Sequence, residues 1–173
     1  AAQGEKLLLA PAGYEVSFKF PADKIIDVYR EKSGKLSILN TLSLSLPAEE
    51  IANDLGIEPP ADVLLIPTAK KDEFFANNEL PDGKMSFVAS YHEGKYTFPD
   101  MRDYITELMG KETLEAQDME FSIIPVTITK ESNTYGNLVV VNIAPYVSKP
   151  AMAKIEMDKA KIIFTFSKRT TNF

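Results

Sequence analysis

The chain has 173 residues, 45% of them hydrophobic and 25% charged, with a formal net charge of −6. That length suits one domain able to bury roughly 70% of its unfolded surface without a metal or disulfide, and the charge sets the whole-molecule field against a phosphate backbone or an anionic lipid surface. The absence of cysteine removes thiolate nucleophiles, disulfides, Fe–S clusters and cysteine zinc sites. No apolar run approaches the length of about 18 residues needed to span a bilayer.

The start, AAQGEKLLLAP, has no initiator Met, basic n-region or long apolar h-region. It fits either a mature chain after processing or the C-terminal fragment of a longer protein. KLLLA (6–10) is a short apolar run, Pro11 to Gly13 a turn, and YEVSFKF (14–20) a strand with Val16, Phe18 and Phe20 on one face. IIDVYR could form a strand or one helical turn and is read as a strand before the turn EKSGK. KLSILNTLSLSLP is a long half-buried strand, with Leu36, Ile38, Leu42, Leu44 and Leu46 on one parity. Asn40 breaks that parity, which predicts a bulge there.

Pro47 at a helix start, Glu49 and Glu50 in the first turn and Gly56 at the end predict a short helix over 47–56. Its two carboxylates read as a solvated, dipole-matched pair. ADVLLIP is a continuous apolar run, as expected of a strand covered on both faces. DEFFANNELPDGK is read as a long loop in which Phe74 and Phe75 plug one end of the fold. SFVASYHEGKYTF predicts a β-hairpin turning at Glu93 and Gly94.

Met101, Tyr104, Ile105, Leu108 and Met109 fall at i, i+3, i+4, i+7 and i+8. This spacing predicts a helix burying all five, capped by Asp100 and ended by a left-handed Gly110. MEFSIIPVTITK is a long strand that Pro125 confines to an edge or a bulge. ESNTYGN connects it to the strand LVVVNIA. PYVSKPAMAKIEMDKA is broken into extended pieces by Pro145 and Pro150, and KIIFTFSK is the last strand. Eight to ten strands with two short helices, all in one domain over 1–173, predict a mainly β protein: a two-sheet antiparallel β-sandwich of jelly-roll type.

The chemistry is sparse. P-loop, GxGxxG, EF-hand, HExxH and GxSxG patterns are all absent, and the single histidine, His92, has no second ligand for zinc. A carboxylate-based hydrolase would have to draw on Asp100, Asp103, Glu107, Glu115, Asp118 or Glu120, and a calcium site on the 112–120 stretch. Both sets read first as solubilising charge. The expectation is therefore no enzyme, no catalytic residues, no cofactor and no metal. Tyr91, His92 and Tyr96 on the hairpin and Tyr135 in the 131–137 loop are the candidate ligand-binding residues, a platform for sugar rings, although tryptophan is absent.

The runs YTFPDMRDYITELMGK, DMEFSIIPVTITKES and NIAPYVSKPAMAKIEMDKAKIIFTFSK resemble, in order and kind, the C-terminal region of an uncharacterised family of Bacteroidota secreted lipoproteins carrying a domain of unknown function. The likeness covers about residues 35–173 and, more remotely, extends to jelly-roll modules of extracellular carbohydrate-active proteins. It implies an extracytoplasmic location, at the cell surface, the outer membrane or the periplasm. It also implies a non-catalytic role through a protein partner in a cell-envelope complex, or through a glycan. Nucleic acid is not an expected partner. Family members are longer and begin with a lipidated Cys, which this chain lacks; membrane association would need that anchor.

Overall fold

The computed structural model describes residues 5–11, 15–33 and 37–168. Ten antiparallel strands form one hydrogen-bonded sheet: β1 (Glu5–Ala10), β2 (Val16–Lys19), β3 (Ser37–Glu49), β4 (Asp62–Pro67), β5 (Phe87–His92), β6 (Lys95–Phe98), β7 (Glu120–Ser132), β8 (Leu138–Pro145), β9 (Ala151–Glu156) and β10 (Lys161–Lys168). Three α-helices accompany them: α1 (Ala22–Ser33), α2 (Lys71–Ala76) and α3 (Arg102–Met109). The mainly β expectation holds. The turn beyond Pro11, the start of the second strand at Tyr14, and Gly34 to Leu36 lie outside the described residues.

The strand path runs β1-β9-β3-β6-β5-β4-β7-β2, with β10 added to β3 and β8 to β7. Two strands of 13 residues organise it by changing partners along their length. Ser37 to Ser45 of β3 pair with β10, Leu44 to Pro47 with β6, and Ala48 and Glu49 with β9. Similarly, the first part of β7 lies between β2 and β4, and Val126 to Ser132 pair with β8 alone. The ends of the path approach each other, since the Lys6 ammonium on β1 donates to the Ser17 carbonyl on β2. The curled sheet encloses a core in which Leu8, Phe20, Leu42, Leu46, Tyr96 and Phe121 are fully buried. Phe121 is its aromatic centre, with the rings of Tyr104 at 5.0 Å and Phe20 at 5.4 Å.

Asn40 is the extra residue of a bulge: Thr41 pairs with Thr165 and Leu39 with Phe166. The slip reverses the side chains before it, so Leu39 is 4% exposed and Ile38, expected on the core face, is 48% exposed. β4 is buried on both faces as its apolar run predicts. Val63 and Leu65 face the main core, and Leu64 and Ile66 face a smaller one closed by Phe74, Val126 and Ile143. Phe74 thus plugs an end of the fold from α2, a helix within the segment read as a loop.

Several expectations need correction. IIDVYR is part of α1, not a strand; Ala22, Ile25, Ile26 and Tyr29 fall at i, i+3, i+4 and i+7 and pack against the core. The helix expected over 47–56 does not form, because the Leu42, Leu44, Leu46 alternation continues to buried Ala48 and carries β3 to Glu49. Beyond it, Asn53 organises the loop: its Oδ1 accepts the Leu55 and Ile57 N–H groups at 3.0 and 2.9 Å. Among the described residues three α-helices form where two were expected. α3 forms as expected: Tyr104, Ile105 and Leu108 on it and Met101 just before it are buried, Met109 is buried only in part, and Asp100 Oδ1 accepts the Arg102 N–H at 3.0 Å. Gly110 caps it with φ −77° and not in the left-handed region. Residues 145–160, read as extended pieces, hold one true strand, β9, followed by the turn Met157–Lys159.

Candidate functional site

The second half of β7 leaves the body of the sheet and forms a two-stranded ribbon with β8. After Val126 the inward alternation of β7 stops, and Thr127 and Thr129 to Ser132 are exposed. The tip is shaped by Asn133, whose Oδ1 accepts the Tyr135 and Asn137 N–H groups, both at 3.0 Å. Tyr135 stands at that tip with 89% of its surface in water.

Along β8, Leu138, Val139 and Val141 are 69%, 40% and 39% exposed, and Val147 just beyond the strand is 71% exposed. Isolated apolar residues on a surface are ordinary; a run of them along one strand is not. No charged side chain interrupts Leu138 to Pro145, and among the described residues only β7 pairs with β8. Its outer edge therefore offers backbone N–H and C=O groups to another strand without the lysine or early proline that usually blocks such pairing. β10 differs, since it both begins and ends with lysine.

The residues expected to bind a ligand do not assemble into one platform. Tyr96 is fully buried, and its hydroxyl donates to the Pro60 carbonyl at 2.6 Å. Burial first, then the nearby Tyr91 and Asp62, push its pKa well above the ordinary tyrosine range. Tyr91 packs on Tyr96 at 5.4 Å between ring centroids and donates to the Ala48 carbonyl at 3.1 Å. It is half-buried and borders a groove of about 500 Å³ that also holds Glu50, Glu58, Asp62 and Ser90. His92 is exposed beside Glu93, 3.7 Å away. Tyr135 belongs to a different hairpin.

Of the carboxylates considered for catalysis or calcium, Asp100, Asp103 and Asp118 are held in local structure. Asp118 binds Lys111 at 2.6 Å and the Glu115 N–H at 2.9 Å, while Asp100 and Asp103 both lie near Arg102. Among the described residues no group of three or more His, Asp or Glu side chains could hold a metal ion. One polar chain centred on buried Ser122 does run through the sheet: Ser122 Oγ lies 2.9 Å from Thr68 Oγ1, 3.2 Å from Ser17 Oγ and 3.5 Å from Glu15 Oε1. Ser122 is fully buried, so its hydroxyl joins strands and does not face a substrate. The alternation of β7 places it there, and a lone serine in an apolar strand was the only sequence sign of it.

No family model matches the chain, nor does any curated protein or solved structure. Among the described residues no helix is long and apolar enough to cross a membrane.

Proposed function

We propose that this protein is a non-catalytic extracytoplasmic module that assembles with a protein partner by adding the partner's strand to β8. The observation that carries the reading is the uncharged edge of β8, with Leu138, Val139 and Val141 held in water. Strand addition of this kind takes affinity from main-chain hydrogen bonds and specificity from alternate side chains. The resemblance to secreted lipoproteins of the Bacteroidota supports an envelope setting, at the cell surface or outer membrane. The curled sheet, with β4 between two apolar clusters, supports a sandwich of jelly-roll type as the finer description of the fold.

The test is co-purification from native membranes with the wild-type chain and with Val139→Lys/Val141→Lys. The expected result is a partner recovered with the wild type and lost with the variant, both proteins being equally stable. Recovery of free monomer alone under gentle extraction, or a partner retained by the variant, overturns the reading.

A second reading, a carbohydrate-binding module, is favoured by the groove beside Tyr91, where an aromatic ring meets the carboxylates of Glu50, Glu58 and Asp62 and the Ser90 hydroxyl. It requires saturable signals on a glycan array that Tyr91→Ala abolishes; an array without them removes it.

A further inference from the structure

Below the ribbon, where the end of β1 meets α2 and the β7–β8 junction, a cleft of about 250 Å³ opens to solvent. Its walls are apolar, formed chiefly by Leu9, Phe75, Ile124, Pro125, Tyr146 and Val147. The junction is held shut at its base by the Tyr146 N–H donating to the Pro125 carbonyl at 3.0 Å, so the walls belong to the hydrogen-bonded scaffold.

Three charged side chains line the same cleft: Glu15, Lys71 and Asp72. Two carboxylates against one ammonium leave a net charge of −1 in neutral solution. Lys71 donates to Glu15 Oε1, with the two side chains 28% and 27% exposed. The Ser122 hydroxyl lies 3.5 Å from that same oxygen. A carboxylate has acceptor capacity beyond these two donors. Asp72 is exposed at the start of α2, and among the described residues it forms no ion pair.

We infer that this cleft binds a small amphipathic primary amine, its apolar body against Phe75, Pro125 and Tyr146 and its ammonium between Glu15 and Asp72. Two features favour the amine over an acid or a neutral alcohol. The local charge is negative, and the whole chain carries −6. An anion would have to pair with Lys71 against both carboxylates. The volume equals that of about eight water molecules, which suits a short alkylamine. This inference is independent of strand addition at β8.

The experiment is an NMR titration of the whole chain with n-hexylammonium chloride, sodium hexanoate and hexanol, following backbone amides around Phe75, Ile124 and Tyr146. Hexylammonium is expected to give saturable shifts there, with hexanoate weaker by up to about fivefold, the scale of one partly exposed ion pair. Glu15→Gln and Asp72→Asn should each weaken hexylammonium severalfold and leave hexanol unchanged. If Glu15→Gln fails to fold, Asp72→Asn carries the test, since that side chain is exposed and supports nothing else. Equal binding of hexanoate or hexanol, an Asp72→Asn chain that binds hexylammonium undiminished, or no saturable shift at these amides would overturn the assignment.

Discussion

Asp118 is 8% exposed, and its two carboxylate oxygens serve different partners, Oδ1 the Lys111 ammonium and Oδ2 the Glu115 N–H. Burial pushes its pKa up, yet the Lys111 and Glu115 donors outweigh burial and hold the carboxyl below its ordinary range. A depressed carboxylate stabilises the fold above its unfolded pKa, near about 3.9, and that contribution is lost as pH falls through the lower folded value. Lys111 carries the opposite sign: its hydrogen bond to Asp118 raises its pKa. Its contribution is complete below about 10.4 and lost as pH rises through the folded value. Asp118→Asn should therefore flatten the acid limb of a urea-midpoint profile below about pH 4. It should also lower stability at neutral pH, because the amide keeps one acceptor oxygen and cannot serve both the Lys111 ammonium and the Glu115 N–H. An acid limb unchanged in the variant would place its origin elsewhere.

Two further residues allow opposite tests. Tyr96→Phe leaves the buried Pro60 carbonyl without its donor and should lower stability by about 1–3 kcal/mol with no change in denaturant slope. Glu93 turns the β5–β6 hairpin with φ 48°, and Gly94 follows with φ 77°. This is a two-residue turn with both centres left-handed, a geometry that favours Asn-Gly. Glu93→Asn should raise the melting temperature, corresponding to about 0.5–1 kcal/mol.

At the scale of elements, the bulge at Asn40 decides which side of β3 faces the core. Leu39→Asp should unfold the protein, whereas Ile38→Asp, one residue away, should shift the urea midpoint by no more than about 0.5 kcal/mol equivalent. If both are tolerated, the register before the bulge is wrong. The parity break at Asn40 was legible in the residues, as were the β5–β6 hairpin, the doubly covered β4 and the buried face of α3, because each has one period and a distinct stop. α1 was missed because IIDVYR in isolation suits either period; only with Ala22 included does its spacing become helical. The false helix over 47–56 arose from local signs, Pro47 and two carboxylates, that the alternation from Leu42 to Ala48 overrides through pairing with β6 and β9. The exposed apolar edge of β8 could not be read from LVVVNIA, since a run of that kind normally signals burial.

For the molecule as a whole, the closing ladder joins β3 to β10, and Thr41 meets Thr165 at 2.6 Å across 124 residues of chain. β1 pairs with β9 over a comparable span. Loop-closure entropy of that order places refolding in roughly the millisecond-to-second range, which stopped-flow fluorescence of the tyrosines would measure. Removing residues 161–173 uncovers the long edge of β3 and should yield an associating protein on sedimentation. A monomeric truncated chain would mean that β10 is dispensable to closure. The mainly β character follows from alternation, but the one-sheet path depends on β3 and β7 changing partners midway. Nothing in a local pattern of residues marks where a strand exchanges one neighbour for another.

The shared strand β7 has a mechanical meaning. Its first half is clamped between β2 and β4, and its second half is the spine of the ribbon. A chain hydrogen-bonded along β8 and pulled along the ribbon axis would load its bonds in parallel, in shear. That tension would pass across the β7–β8 ladder and into the sheet along β7. Pulled sideways, the same attachment would open bond by bond from one end. Such a junction resists force along one direction and releases under force across it.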